Sequence, residues 1–115
     1  MLLNVAAVVF AIAALGGIVL AAHVLRGKLA PWALSLLHAA LGAAGIVLVL
    51  VTVIQGLRGN ATLALGLFVI AALGGFFLAS FHLRKVPGPR PVVLIHASVA
   101  VVGFLVLAGG AFHLF

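Results

Sequence analysis

The sequence predicts an all-α protein: a transmembrane four-helix bundle built from two tandem, parallel helical-hairpin repeats. Hydrophobic residues fill 68% of the 115 positions, and neither Asp nor Glu occurs, a composition foreign to water-soluble domains. Four apolar stretches, at about 2–25, 32–57, 61–83 and 91–115, reach the length of about 20 residues that a helix needs to cross the bilayer core. The two halves of the chain also register without a gap at an offset of 58 residues. A single domain over 1–115 is expected, with repeat 1 at about 1–57 and repeat 2 at about 58–115.

The first stretch competes with a secretory signal peptide. Its apolar run is too long for a typical signal core and has no basic start. Its Leu-Gly-Gly and His recur later in the chain, so it is read as a retained helix. Since lipid offers the backbone no hydrogen-bonding partner, each of the four stretches must be helical. Only the connectors "RGKLAP", "LRGNAT" and "RKVPGPRP" remain between them, leaving almost nothing outside the bilayer.

Charge sets the expected orientation. Arg26 and Lys28 lie in the first connector, Arg84, Lys85 and Arg90 in the third, and Arg58 alone in the second. The excess of Lys and Arg places the first and third connectors in the cytoplasm and both termini outside. Trp32 suits an interfacial anchor on the cytoplasmic side. The net charge of +6 flanks membrane spans, where lipid contact explains it better than nucleic acid does. Without cysteine, neither disulfides nor thiolate ligands are available. Without carboxylates, no acidic side chain can relay protons, hold a cationic substrate or ligate Mg or Ca. Small multidrug exporters share the length and span number but depend on a membrane-embedded Glu that this chain lacks.

The repeat is carried by more than Ala and Leu. "FAIAALGGIVLAAHVLR" lies over "FVIAALGGFFLASFHLR", and "LLHAALGAAG" over "LIHASVAVVG". Phe10 meets Phe68, Gly16 and Gly17 meet Gly74 and Gly75, and Arg26 meets Arg84. Pro31 meets Pro89, His38 meets His96, and Gly45 meets Gly103. With an even number of spans between equivalent positions, the hairpins run parallel about an axis along the membrane normal, unlike the inverted repeats of many transporters.

Four of the five histidines fall toward the cytoplasmic side. His38 and His96 each lie seven residues past a proline, about 10 Å inside their helix starts at 1.5 Å per residue. His23 and His82 lie roughly a turn shallower, near the ends of helices 1 and 3, and His113 sits at the opposite face. Residues seven apart share a helix face. Gly45 and Gly103 therefore lie two turns deeper than His38 and His96, and Gly16 and Gly75 two turns deeper than His23 and His82. Histidines with small residues beneath them suit a flat cofactor between helices, since haem iron takes imidazole as an axial ligand and bundle cores house such sites.

His38 and His96 are expected as the axial pair, because His23 aligns with Phe81 and not with His82. His23 and His82 stand as second ligands or as groups around the cofactor. Gly45, Gly103, Gly16 and Gly75 would admit the macrocycle edge, and Arg26 and Arg84 would meet its propionates. One haem b is expected per bundle, although four histidines also allow two. Close helix packing is the ordinary use of glycine in membrane helices, and a water-facing interfacial position is the ordinary reading of His23, His82 and above all His113. Polar groups as deep as His38 and His96 point to function.

These histidines and their glycines resemble the membrane b-type cytochromes, in particular the cytochrome b561-like group and its four-helix bacterial members. The resemblance implies an integral protein of a bacterial plasma membrane. It also implies electron exchange with a quinol, an ascorbate-like donor, superoxide or a partner redox subunit. Members with two haems usually hold them near opposite faces, whereas these four histidines share one. Alongside electron transfer stand two other readings: a non-redox accessory subunit of a larger membrane complex or homo-oligomer, and a Zn, Cu or proton path using imidazoles alone.

Overall fold

The computed structural model describes residues 1–114. It contains α1 (Leu2–Leu25), α2 (Trp32–Ile54), α3 (Asn60–Leu83) and α4 (Arg90–Ala111). Each helix is 22 to 24 residues long and apolar enough to cross a membrane. At 1.5 Å per residue the shortest spans about 33 Å, against a hydrocarbon core of about 30 Å. The protein is an all-α integral membrane bundle, 42 × 22 × 19 Å. α1 packs mainly on α2, and α3 mainly on α4. Lesser interfaces join α1 to α4 and α2 to α3, so α1 faces α3, and α2 faces α4, across the diagonals.

The helix ends differ from the expected limits where the backbone turns left-handed. α2 stops at Ile54 because Gly56 adopts φ 105° and the Leu57 N–H bonds back to the Thr52 carbonyl. α4 stops at Ala111, where His113 adopts φ 56° and the Leu114 N–H reaches the Gly109 carbonyl. Phe115 lies outside the described residues. The bond patterns closing α1 and α3 match each other: Lys28 N–H to His23 C=O, and Val86 N–H to Phe81 C=O. Both are Schellman closures, which favour glycine at the left-handed position.

Gly27 fills that position after α1 (φ 73°), but Lys85 fills it after α3 (φ 59°). A left-handed L-residue costs roughly 1–2 kcal/mol, partly offset by the extra chain entropy that glycine loses on folding. Lys85→Gly is therefore expected to stabilise the bundle by about 0.5–1 kcal/mol. Reversible unfolding in mixed micelles should show a higher midpoint. A lower one would contradict this account of the turn.

Packing is uneven along the bundle axis. In lipid, helices associate through close packing rather than through hydrophobic expulsion from water, so small side chains decide where they meet. Leu3, Ala6, Ala7, Phe10 and Ala13 form one buried helical stripe on α1, and Ala61, Ala64, Phe68 and Ala71 another on α3. Val49, Val53, Leu107 and Ala111 complete the core, which occupies the half of the bundle that holds the chain ends and the second connector. The Phe10 and Phe68 rings stack across its centre, 3.7 Å between centroids and 5° from parallel. Beyond that stack, toward the first and third connectors, the helices part.

Candidate functional site

The parted half encloses a cavity of about 720 Å³, inside the range of roughly 300–1,000 Å³ typical of small-molecule sites. Phe10 and Phe68 lie at its deep end, and Val86, Pro87 and Gly88 of the third connector border the other. Its wall is almost wholly apolar. Among the described residues, the polar side chains lining it are those of Ser35, His38, His82 and His96.

His38 and His96 enter from the diagonal pair α2 and α4. Their ring centroids lie 6.3 Å apart, with planes at 79°. Each ring is held by a neighbouring helix: His38 Nδ1–H donates to the Ala13 carbonyl at 2.8 Å, and His96 Nδ1–H to the Ala71 carbonyl at 2.7 Å. Because a carbonyl only accepts, Nδ1 must carry the proton in both bonds. In a neutral ring, Nε2 then keeps its lone pair.

The sequence explains why these carbonyls are reachable. In a helix, the side chains three and four residues on lie over a given carbonyl. After Ala13 those positions are Gly16 and Gly17, and after Ala71 they are Gly74 and Gly75. With no side chain there, a donor from the next helix can approach. A Cβ on Gly17 would stand 2.9 Å from His38 Cε1, and one on Gly75 3.2 Å from His96 Cε1. A Cβ on Gly16 would stand 3.9 Å from His38 Cβ, and one on Gly74 3.6 Å from His96 Cβ. The equivalent contacts fall on residues that the sequence alignment pairs.

The remaining expected site residues take distinct places. Gly45 and Gly103 do not line the cavity. A Cβ on Gly45 would meet the Phe10 ring at 2.6 Å, and one on Gly103 would meet Leu67 and Phe68 at 3.3 Å, so aromatic rings of this chain fill the space expected for a macrocycle edge. Gly42, one turn nearer the connectors, does line the cavity and has open space beside it. His23 bonds to its own helix, Nδ1 to the Val19 carbonyl at 2.8 Å, and is not part of the cavity wall. His82 is part of the wall and stacks on Trp32, 3.9 Å between centroids and 13° from parallel. The shift of one residue that separates His82 from the His23 pattern thus turns it toward a different neighbour.

Arg26 and Arg84 donate Nε–H to the Ala22 and Ser80 carbonyls of their own helix ends, and the Arg84 guanidinium also lies 4.3 Å from the Phe81 ring centroid. Each satisfies a helix C-terminus, where positive charge is favoured. Four of the five guanidinium N–H donors remain beyond the Nε–H.

Sequence reasoning overlooked Gly17 and Gly74, the roles of Phe10 and Phe68, and the carbonyls of Ala13 and Ala71. The matched "LGG" and Phe positions were the available signal. Among the described residues, no group of three or more His, Cys, Asp or Glu comes together as a metal site. The fold and cavity define a class: a four-helix integral membrane protein with a partly buried histidine pair in an apolar pocket. Comparison with protein-family models, curated proteins and solved structures gives no match.

Proposed function

We propose that the protein is a small b-type haem protein for electron transfer in the membrane, working alone or as a subunit of a larger redox complex, with His38 and His96 as the axial ligands. One observation carries this reading: two oriented imidazoles, each with Nδ1–H committed to a backbone carbonyl, stand 6.3 Å apart in an apolar cavity. A metal–imidazole bond of about 2.0–2.1 Å, with the ring centre about 1 Å behind the nitrogen, puts two centres in line across a shared ion about 6 Å apart. Metal-bound histidine characteristically donates its other N–H in this way, which fixes the ring and raises its basicity.

Only two protein ligands converge here. That suits an iron whose other four ligands come from a macrocycle better than it suits a bare Zn or Cu ion, which takes three or four from the protein. The cavity volume allows one such group. Gly42 gives the pocket a flat, open wall, while the Phe10–Phe68 stack sets its depth. Arg26, Lys28, Arg84, Lys85 and Arg90 surround the connector end without any Asp or Glu side chain to neutralise them, and haem propionates fit that deficit. Bound haem would supply a one-electron couple, with electrons exchanged with a membrane quinone or a small oxidant.

The optical spectrum of protein purified in mild detergent from haem-replete cells tests the reading. A sharp α-band on reduction is expected of a low-spin, bis-imidazole b-type iron. Colourless protein would instead favour the accessory-subunit reading.

The cationic end is proposed to face the cytoplasm of a bacterial cell, with both termini outside. The native chain has no cysteine, so single-cysteine variants report without background. In intact cells an impermeant thiol reagent should label Arg58→Cys in the second connector and spare Lys28→Cys in the first. The reverse pattern would overturn the orientation.

A further inference from the structure

We propose that Gly17 and Gly75 are positioning residues that hold the two imidazole planes near perpendicular, and that this angle sets the electronic structure of the iron between them. The second half of this proposal rests on the haem reading above. The first half stands on the packing alone.

An imidazole has two side-chain torsions to settle. The bond from Nδ1–H to a neighbouring helix fixes which edge of the ring points away from the cavity, at 2.8 Å for His38 and 2.7 Å for His96. It leaves a rocking motion about the bond, and the glycine surface limits that motion. The helix backbone at Gly17 lies under Cε1, Nδ1 and Nε2 of His38, and that at Gly75 under the same three atoms of His96. Each ring therefore lies against its neighbouring helix, one against α1 and the other against α3. The resulting planes differ by 79°.

Ring orientation matters at low-spin ferric iron because each imidazole donates π-density mainly into the iron d orbital perpendicular to its own plane. Parallel rings act on the same orbital and split the pair, giving three well-separated resonances in an electron paramagnetic resonance spectrum. Perpendicular rings act on different orbitals and leave them nearly degenerate, giving one broad low-field feature. Axial-ligand geometry is one of the protein's means of tuning such a centre.

The space beside each glycine ranks the variants. In Gly17→Ala the new methyl would stand 2.9 Å from His38 Cε1, a distance the ring must relieve by turning. In Gly75→Ala the corresponding 3.2 Å needs a smaller adjustment of His96. Gly66→Ala, on α3 and outside the cavity wall, adds its methyl to open space and serves as the control.

The test uses full-length protein in detergent. Oxidised wild type should give the single broad low-field feature. Gly17→Ala should move intensity into a three-line pattern, Gly75→Ala should do so to a smaller degree, and Gly66→Ala should match wild type. A three-line wild-type spectrum, or no response in both the 17 and 75 variants, would overturn the proposal. If Gly17→Ala does not fold, the Gly75 variant carries the comparison. Nitrogen-15 histidine NMR of the haem-free bundle separates the two ideas. Gly17→Ala should shift the His38 ring signals and leave those of His23 in place. If the wild type proves colourless but this shift occurs, the haem reading fails while the positioning role stands; unchanged His38 signals overturn the positioning role itself.

Discussion

Replacing His38 or His96 with alanine is expected to abolish haem binding, with complete loss of the reduced α-band and a folded, monodisperse bundle left behind. Each substitution would remove one of the two proposed axial bonds and open a gap in a pocket that offers no substitute nitrogen in the same place. The nearest remaining imidazole in the wall, His82, is stacked on Trp32. The fold should survive because both histidines are only partly buried and lie outside the tightly packed core. The free Ala13 or Ala71 carbonyl keeps its own helical bond, so no backbone group is orphaned. His23→Ala should retain full haem content. His82→Ala should retain haem but alter its potential or reactivity through the wall it helps to form. Loss of the band in the His82 variant, with retention in the His38 variant, would reassign the axial ligand.

Gly45→Leu should have the opposite signature: loss of the folded bundle itself, not merely of its cofactor. Even a methyl there would come within 2.6 to 2.9 Å of three Phe10 ring atoms. Phe10 cannot retreat, because its other face is stacked on Phe68 at 3.7 Å. Overpacking typically costs about 1–3 kcal/mol, and a leucine that displaces the stack would also forfeit aromatic packing worth about 3–5 kcal/mol in Phe→Ala series. The sum is of the order of a typical domain's whole stability of about 5–15 kcal/mol. Unfolding in mixed micelles or protease sensitivity should therefore show a severe defect in Gly45→Leu. Gly42→Leu, beside open cavity, should remain folded and instead hinder cofactor loading. Haem-free but fully stable Gly45→Leu protein would mean that Gly45 borders the cofactor after all.

What the sequence made legible follows from what membranes select. Span number and length were readable because the bilayer imposes a length threshold on apolar runs. The helix ends are less so: hydropathy extends the spans to 57 and 115, but the reversals near Gly56 and His113 depend on left-handed backbone that hydropathy does not register. The inward faces were hardest to read. In a soluble bundle polarity marks the outside, whereas here Ile12 and Ile70 face outward and Val49 and Leu107 inward with similar chemistry. Size and shape replace polarity as the signal, and size alone left the glycines ambiguous. Their grouping by heptad distance from a histidine on the same helix paired Gly45 with His38. The contacts pair Gly17 with His38 across helices. Same-helix spacing cannot reveal such a partnership, while the alignment of Ala13, Gly16 and Gly17 with Ala71, Gly74 and Gly75 held the trace of it.

The stacked phenylalanines have a consequence for ion gradients. Two parallel rings at 3.7 Å leave no room for a water molecule between them, and the alanine and valine side chains around them offer nothing to hydrate a proton or a metal ion. The cavity above is thus a blind chamber: it extends toward the first and third connectors and stops at an insulating plug. Were the histidines to hold the proposed redox group, charge reaching it would be stored or returned from the same side without short-circuiting the membrane potential. Close packing of the half that holds the chain ends is what closes so small a bundle along its axis.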